Sequence, residues 1–134
     1  MPGAEREAAL AAYRSFWSAA STVDSRPEGL WRAILGEVAA EPLLTRVLAG
    51  LRAEAVAGHR QYGMALPRPT VVRAERGRAS IVDRQDASGS GVLDAATGLP
   101  VSVGAPRTPI AASLVRDRWG MWRVSDARYL QGPC

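Results

Sequence analysis

His59 is the single histidine of the chain, and histidine is the side chain whose unperturbed pKa lies near neutrality. It follows Ala55 by four residues and precedes Tyr62 by three, a spacing that on a helix sets all three along the edge of one stripe. As a general base His59 would need a hydrogen-bond partner, and Asp83 and Asp86 are the candidates. A cyclase- or isomerase-like reaction would then rest on His59, with Tyr62 or Asp83 orienting it. The competing reading is a hydrogen-bonded histidine near a helix C-terminus, where a cation meets the negative end of the dipole. That reading is favoured, because spacing fixes no second catalytic group. Asp83 and Asp86, three apart in a strand, point to opposite faces and make a poor carboxylate pair.

Binding chemistry is the other possibility. Tyr13, Trp17, His59, Tyr62 and Trp122 form the candidate cavity-lining set, with Tyr129 beside them, since Tyr and Trp pair an apolar ring with a polar tip. The alternative, ordinary core, carries more weight for residues at regular stripe spacing. Trp119 stands apart in a turn, where an exposed tryptophan can mark a contact surface. The Ser88-Gly-Ser-Gly91 segment has neither the lysine nor the helix of a phosphate-binding loop. One histidine, one cysteine and no clustered acids call for no metal and no cofactor. Cys134 is the lone cysteine and the last residue, so no disulfide can form within the chain.

These residues must be positioned by helices first and strands later. The first predicted helix runs from about Ala4 to Ala20 with Leu10, Tyr13, Phe16, Trp17 and Ala20 on one stripe. A short second helix follows Pro27 and carries Leu30, Trp31, Ile34 and Leu35. The third starts after Glu41-Pro42 and places Leu43, Leu44, Val47, Leu48, Leu51, Ala55 and Tyr62 on one stripe. It is predicted to end at Gly63 after about twenty residues, with Gly50 and Gly58 inside it.

From Pro69 onward the period changes to two. Thr70–Glu75 and Ala79–Asp86 read as a hairpin around Arg76-Gly77-Arg78. Residues 92–103 read as a second hairpin turning at Thr97-Gly98, with Pro100 confining its returning arm to an edge or bulge. The last hairpin pairs Ile110–Val115 with Met121–Tyr129 across Asp117-Arg118-Trp119-Gly120, Gly120 supplying the positive φ of the turn. Ile110, Ala112 and Leu114 share one face of it, and Trp122 and Val124 share one face of the return, so this sheet requires cover from the helices. Helices followed by antiparallel strands indicate an α+β domain, one unit spanning residues 1–134.

Composition narrows the class. With 134 residues and 47% hydrophobic content, one core suffices without metal or disulfide. All 17 basic residues are arginine and the formal charge is +4, but the arginines are scattered among acids with no basic run interleaved with aromatics, so nucleic-acid binding is disfavoured. No apolar run approaches the roughly 18 residues of a membrane span, and Met1 leads into an amphipathic segment rather than a signal-peptide core.

Three N-terminal helices, Gly-His-Arg-Gln-Tyr-Gly (58–63), Ser-Ile-Val-Asp-Arg-Gln-Asp (80–86) and Trp-Gly-Met-Trp-Arg-Val-Ser-Asp (119–126) together resemble the NTF2-like superfamily, and more narrowly its small actinobacterial secreted or lipoprotein-type domains. The resemblance implies a cone, in which a bent antiparallel sheet wraps a long helix around an apolar cavity. Relatives commonly carry a cysteine where Arg84 stands, paired with one at the extreme C-terminus; here Cys134 lacks that partner. It implies a non-enzymatic module that binds a hydrophobic small molecule or a protein, with a homodimer through the outer sheet face. A cyclase- or isomerase-like enzyme is the alternative. The location implied is extracytoplasmic for a processed chain, and cytoplasmic if Met1 is the native start.

Overall fold

The computed structural model describes residues 2–130; the expectations for Cys134 lie outside the described residues. Helix α1 (Pro2–Thr22) extends past both predicted ends, as its alanine content favours. Ala9, Tyr13, Phe16 and Ala20 are the residues it buries. A 3-10 turn at Val23–Ser25 and another at Glu28–Leu30 lead into α2 (Trp31–Gly36). The Trp31 indole N–H donates to the Arg26 carbonyl at 2.8 Å, fixing that corner.

Helix α3 (Leu43–Val56) begins where Glu41 accepts from the Thr45 amide at 2.9 Å and the Thr45 hydroxyl at 2.8 Å. Those bonds satisfy an orphan donor of the first turn and hold the Glu41 carboxyl below its ordinary pKa. The helix stops well before Gly63. Gly58 takes φ +79°, the left-handed conformation that ends helices, and His59–Gly63 is a strand, β1. The spacing of Ala55 to Tyr62 therefore does not make a common helical stripe.

Six further strands follow: β2 (Pro69–Glu75), β3 (Arg78–Gln85), β4 (Ser90–Asp94), β5 (Pro100–Val103), β6 (Thr108–Arg116) and β7 (Trp122–Tyr129). They form two antiparallel sheets, β1-β4-β5 and β2-β3-β6-β7. The two are successive parts of the same long arms: β1 continues into β2, β3 into β4 and β5 into β6, each across a short break. Leu66 and Asp86 exchange backbone hydrogen bonds at 2.8 and 2.9 Å within those breaks, and the Ala87 amide donates to the Ala105 carbonyl at 2.9 Å. The chain thus bends without abandoning its pairing.

Glycine permits the bend. Gly63 has φ +67°, and a Cβ there would sit 1.9 Å from the Gly89 carbonyl oxygen. Gly63→Ala is expected to destabilise the domain by about 2 kcal/mol or more through backbone strain and overpacking; urea unfolding measures it, and an unchanged midpoint would show the bend to be adaptable.

The turns match their sequence signals. Arg76 and Gly77 both have positive φ, 54° and 73°, as a two-residue hairpin loop requires. Gly98 (φ 74°) and Gly120 (φ 88°) close the other two hairpins. Pro100 lies on β5, an edge strand, opposite Leu93 beside a register shift. In β3 every second side chain is buried, and Ile110, Ala112 and Leu114 of β6 share the core with Trp122 and Val124 of β7. Helix α1 lies over β2 and β7 and reaches β1, while α3 packs on β1 and β7. The outer edge of β7 is covered by the loop after α2, where the Ala40 amide donates to the Val124 carbonyl at 2.8 Å. The architecture is α+β, with helices followed by two antiparallel sheets.

Candidate functional site: an apolar cavity at the bend

A cavity of about 530 Å³ opens between α1 and α3 where the two sheets meet. Its walls are apolar: Phe16, Trp17 and Ala20 from α1, and Leu43, Val47 and Leu51 from α3. Val92, Ile110 and Ala127 contribute from the strands. Trp17 stacks edge-on against Phe16 with ring centroids 5.2 Å apart, and against Tyr13 at 6.4 Å.

The charged groups of this cavity and its Gln61 amide are already engaged. Glu54 receives His59 Nδ1 at 2.9 Å. The Gln61 side-chain amide donates to the Ala20 carbonyl at 2.8 Å, and its backbone N–H to Asp24 at 2.9 Å. Arg128 Nε donates to Asp126 at 2.8 Å, and Arg46 pairs with the same carboxylate. These arginines hold the Asp126 carboxyl below its ordinary pKa against the opposing effect of its desolvation. No charge is left aimed into the space.

The candidate residues named from sequence separate into different places. Trp17 and Tyr129 line the cavity. Tyr13 does not line it: it is fully buried, and its hydroxyl donates to Asp83 at 2.7 Å. Burial first, and Asp83 second, push the Tyr13 phenol far above its ordinary pKa, so it remains a hydrogen-bond donor and not a proton carrier. The Trp17 indole N–H lies toward the Tyr13 hydroxyl, opposing that rise, yet reaches no hydrogen-bond partner among the described residues. Trp122 is also core, toward the N-terminal end of α1, away from the cavity.

His59, Tyr62 and Asp83 are not brought together. On β1, His59 and Tyr62 are three residues apart and face opposite ways. His59 pairs with Glu54 next to Asp24 and Trp31, whereas the Tyr62 hydroxyl donates to the Ser102 carbonyl at 3.1 Å. Asp83 is 2% exposed and accepts from the Tyr13 hydroxyl and, at 2.6 Å, from the Arg68 amide. Asp86, the other expected partner of His59, accepts from the Ser88 hydroxyl and amide and lies 3.6 Å from Arg68. The early end of α3 leaves Glu54, in its last turn, facing His59 at the start of β1. Among the described residues no cluster of three or more His, Cys, Asp or Glu side chains could hold a metal ion.

No protein-family model matches the sequence, and no curated relative aligns with it. The chain is similar in fold to the crystal structure of the intermembrane space region of chloroplast protein ARC6. That similarity covers 95% of this chain and 97% of that one, with a TM-score of 0.69 and 13% identity. At such identity the likeness concerns the fold alone. A de novo designed β-sheet protein aligns with a TM-score of 0.35 and 14% identity, over 99% of this chain and 89% of the design, too low to support any conclusion. No helix among the described residues is long and apolar enough to cross a membrane.

The cavity walls from Leu43, Val47 and Val92 were not singled out from sequence. Leu43 and Val47 carry a recognisable signal, lying on the predicted α3 stripe. Nothing local to Val92 indicates that a distant bend will set it opposite Trp17.

Proposed function

We propose that this domain is a non-enzymatic NTF2-like binding module of the actinobacterial cell envelope, holding a neutral, hydrophobic small molecule at the bend of its sheet. The observation that carries the reading is a cavity of about 530 Å³ whose walls are apolar and whose charged groups, Glu54 and Arg128, are paired within the protein. Ligand cavities of roughly 300–1,000 Å³ are typical, and apolar walls with few polar groups select apolar ligands. The bent arms wrapped around α1 and α3 are consistent with the cone that the sequence motifs suggest. A cyclase or isomerase would need a base directed at its substrate with a second group beside it; the pair at the cavity edge, His59 and Glu54, is closed on itself at 2.9 Å.

Native mass spectrometry of untagged protein from an actinobacterial host is expected to show a mass above that of the chain, lost on gentle activation. In parallel, the purified protein should bind the apolar dye Nile red, and Val47→Trp, which fills the space, should abolish dye binding without unfolding the domain. Equal binding by wild type and Val47→Trp would remove the cavity as the site. Absence of both adduct and dye binding would mean a cavity without an apolar ligand.

A further inference from the structure

The order β2-β3-β6-β7 with all neighbours antiparallel brings the Arg76-Gly77 turn and the Asp117–Met121 turn to one end of the sheet. They touch there: the Arg116 amide donates to the Gly77 carbonyl at 2.8 Å. Trp119 at the tip is 74% exposed and Met121 49%, although Trp31 and Trp122 are buried. Arg76, Arg78 and Arg118 share this end of the sheet, exposed and without an ion pair among the described residues. The neighbouring acids are neutralised, Glu5 by Arg116 at 3.0 Å and Asp117 by Arg123 at 2.5 Å. Glu75 is the exception, 3.9 Å from Arg73.

The turn is held rigid. Asp117 Oδ1 accepts from the Trp119 and Met121 amides, each at 2.9 Å, and the Gly120 amide donates to the Asp117 carbonyl at 3.0 Å. These bonds, with that from Arg123, hold the Asp117 carboxyl below its ordinary pKa. The Arg118 guanidinium lies 4.5 Å from the centroid of the Trp119 ring. An aromatic ring is thus presented to solvent with little conformational entropy left to lose on contact.

We propose that this end of the sheet docks on an anionic bilayer surface, seating Trp119 and Met121 among the lipid headgroups while Arg76, Arg78 and Arg118 meet the negative charge. Tryptophan favours the membrane–water interface, where its ring is apolar and its N–H is wet. Arginines close to an anionic leaflet each add to the attraction. The surface is a hairpin tip bearing one exposed ring, which suits a deformable headgroup layer. It offers neither the aromatic platform nor the linear basic groove that tracks a nucleic-acid strand.

Co-sedimentation of the full chain with vesicles of phosphatidylcholine, alone or mixed with phosphatidylglycerol, tests this. Partition is expected only into the anionic vesicles and should weaken with salt. Trp119→Ala should lower the partition coefficient about tenfold through lost apolar burial, and Arg76→Gln or Arg118→Gln about fivefold each. Arg52→Gln, on the exposed face of α3, should change nothing. Acyl chains brominated near the headgroup should quench wild-type fluorescence more than that of Trp119→Phe. No partition into anionic vesicles overturns the proposal, and so does partition indifferent to Trp119. Equal affinity for duplex DNA, independent of Trp119, would show a general polyanion surface instead.

Discussion

Trp122→Ala lowers the free energy of unfolding by about 3–5 kcal/mol, the cost of deleting a buried indole and leaving a partly collapsed void. The ring is 7% exposed and belongs to the main core cluster. It starts β7, on which α1 packs, and shares the core with the buried α1 residues Ala9, Tyr13 and Phe16. Arg116 closes over the ring with its guanidinium carbon 5.6 Å from the centroid, so the loss includes a cation–π contact as well as apolar area. Denaturant titration of Trp122→Leu beside Trp122→Ala separates these, since leucine keeps part of the buried area but offers the cation no aromatic face. A loss below about 1 kcal/mol for the alanine variant would place the ring outside the cooperative core.

Asp83→Ala costs about 2–6 kcal/mol, because it strands two buried donors, the Tyr13 hydroxyl and the Gln85 side-chain amide, at roughly 1–3 kcal/mol each, and also frees the part-buried Arg68 amide. Tyr13→Phe removes one donor and leaves the carboxylate its Arg68 bond, so its cost is the smaller, about 1–3 kcal/mol. The pair should be non-additive in a double-mutant cycle, since each partner's penalty is the loss of the other. Full additivity would show that the 2.7 Å bond contributes no coupling. The same bond sets an alkaline limit. Tyr13 has its phenol pKa raised on folding; its contribution is therefore complete below the unfolded value of about 10 and is lost as pH climbs above it. Tyr13→Phe should flatten that part of the stability profile.

Local signals in the sequence account for most elements. Alanine-rich periodicity yields α1, and Arg76-Gly77, Thr97-Gly98 and Gly120 yield the three hairpins, because a positive φ at a defined position is a property of one or two residues. The end of α3 is different. Residues 59–63 continue a plausible stripe, and what makes them a strand is pairing with Ser90–Asp94, a non-local interaction that no spacing reveals. That single error placed His59 and Tyr62 on one helical face and hid Glu54 as the partner of the histidine. The Tyr13–Asp83 bond, between α1 and β3, was hidden for the same reason: alternation predicts that Asp83 faces inward with Ile81 and Gln85, but only the packing of the helix on the sheet supplies its donor. An inward aspartate in an otherwise apolar strand is the available hint, and it points to a structural tether as readily as to a catalytic group.

The seating of α1 on β7 joins the two extremes of the described chain, residues 2–22 and 122–129. During synthesis α1 is made before any of the strands, while β7, on which it packs, follows all the others. Until then the stripe of Tyr13 and Phe16 has no complete surface to cover, and a ribosome-bound fragment lacking β7 carries an amphipathic helix without its seat. Such long-range closure raises contact order and slows folding relative to a helical bundle of similar size. It also makes completion of the last hairpin the event that commits the domain to its native state.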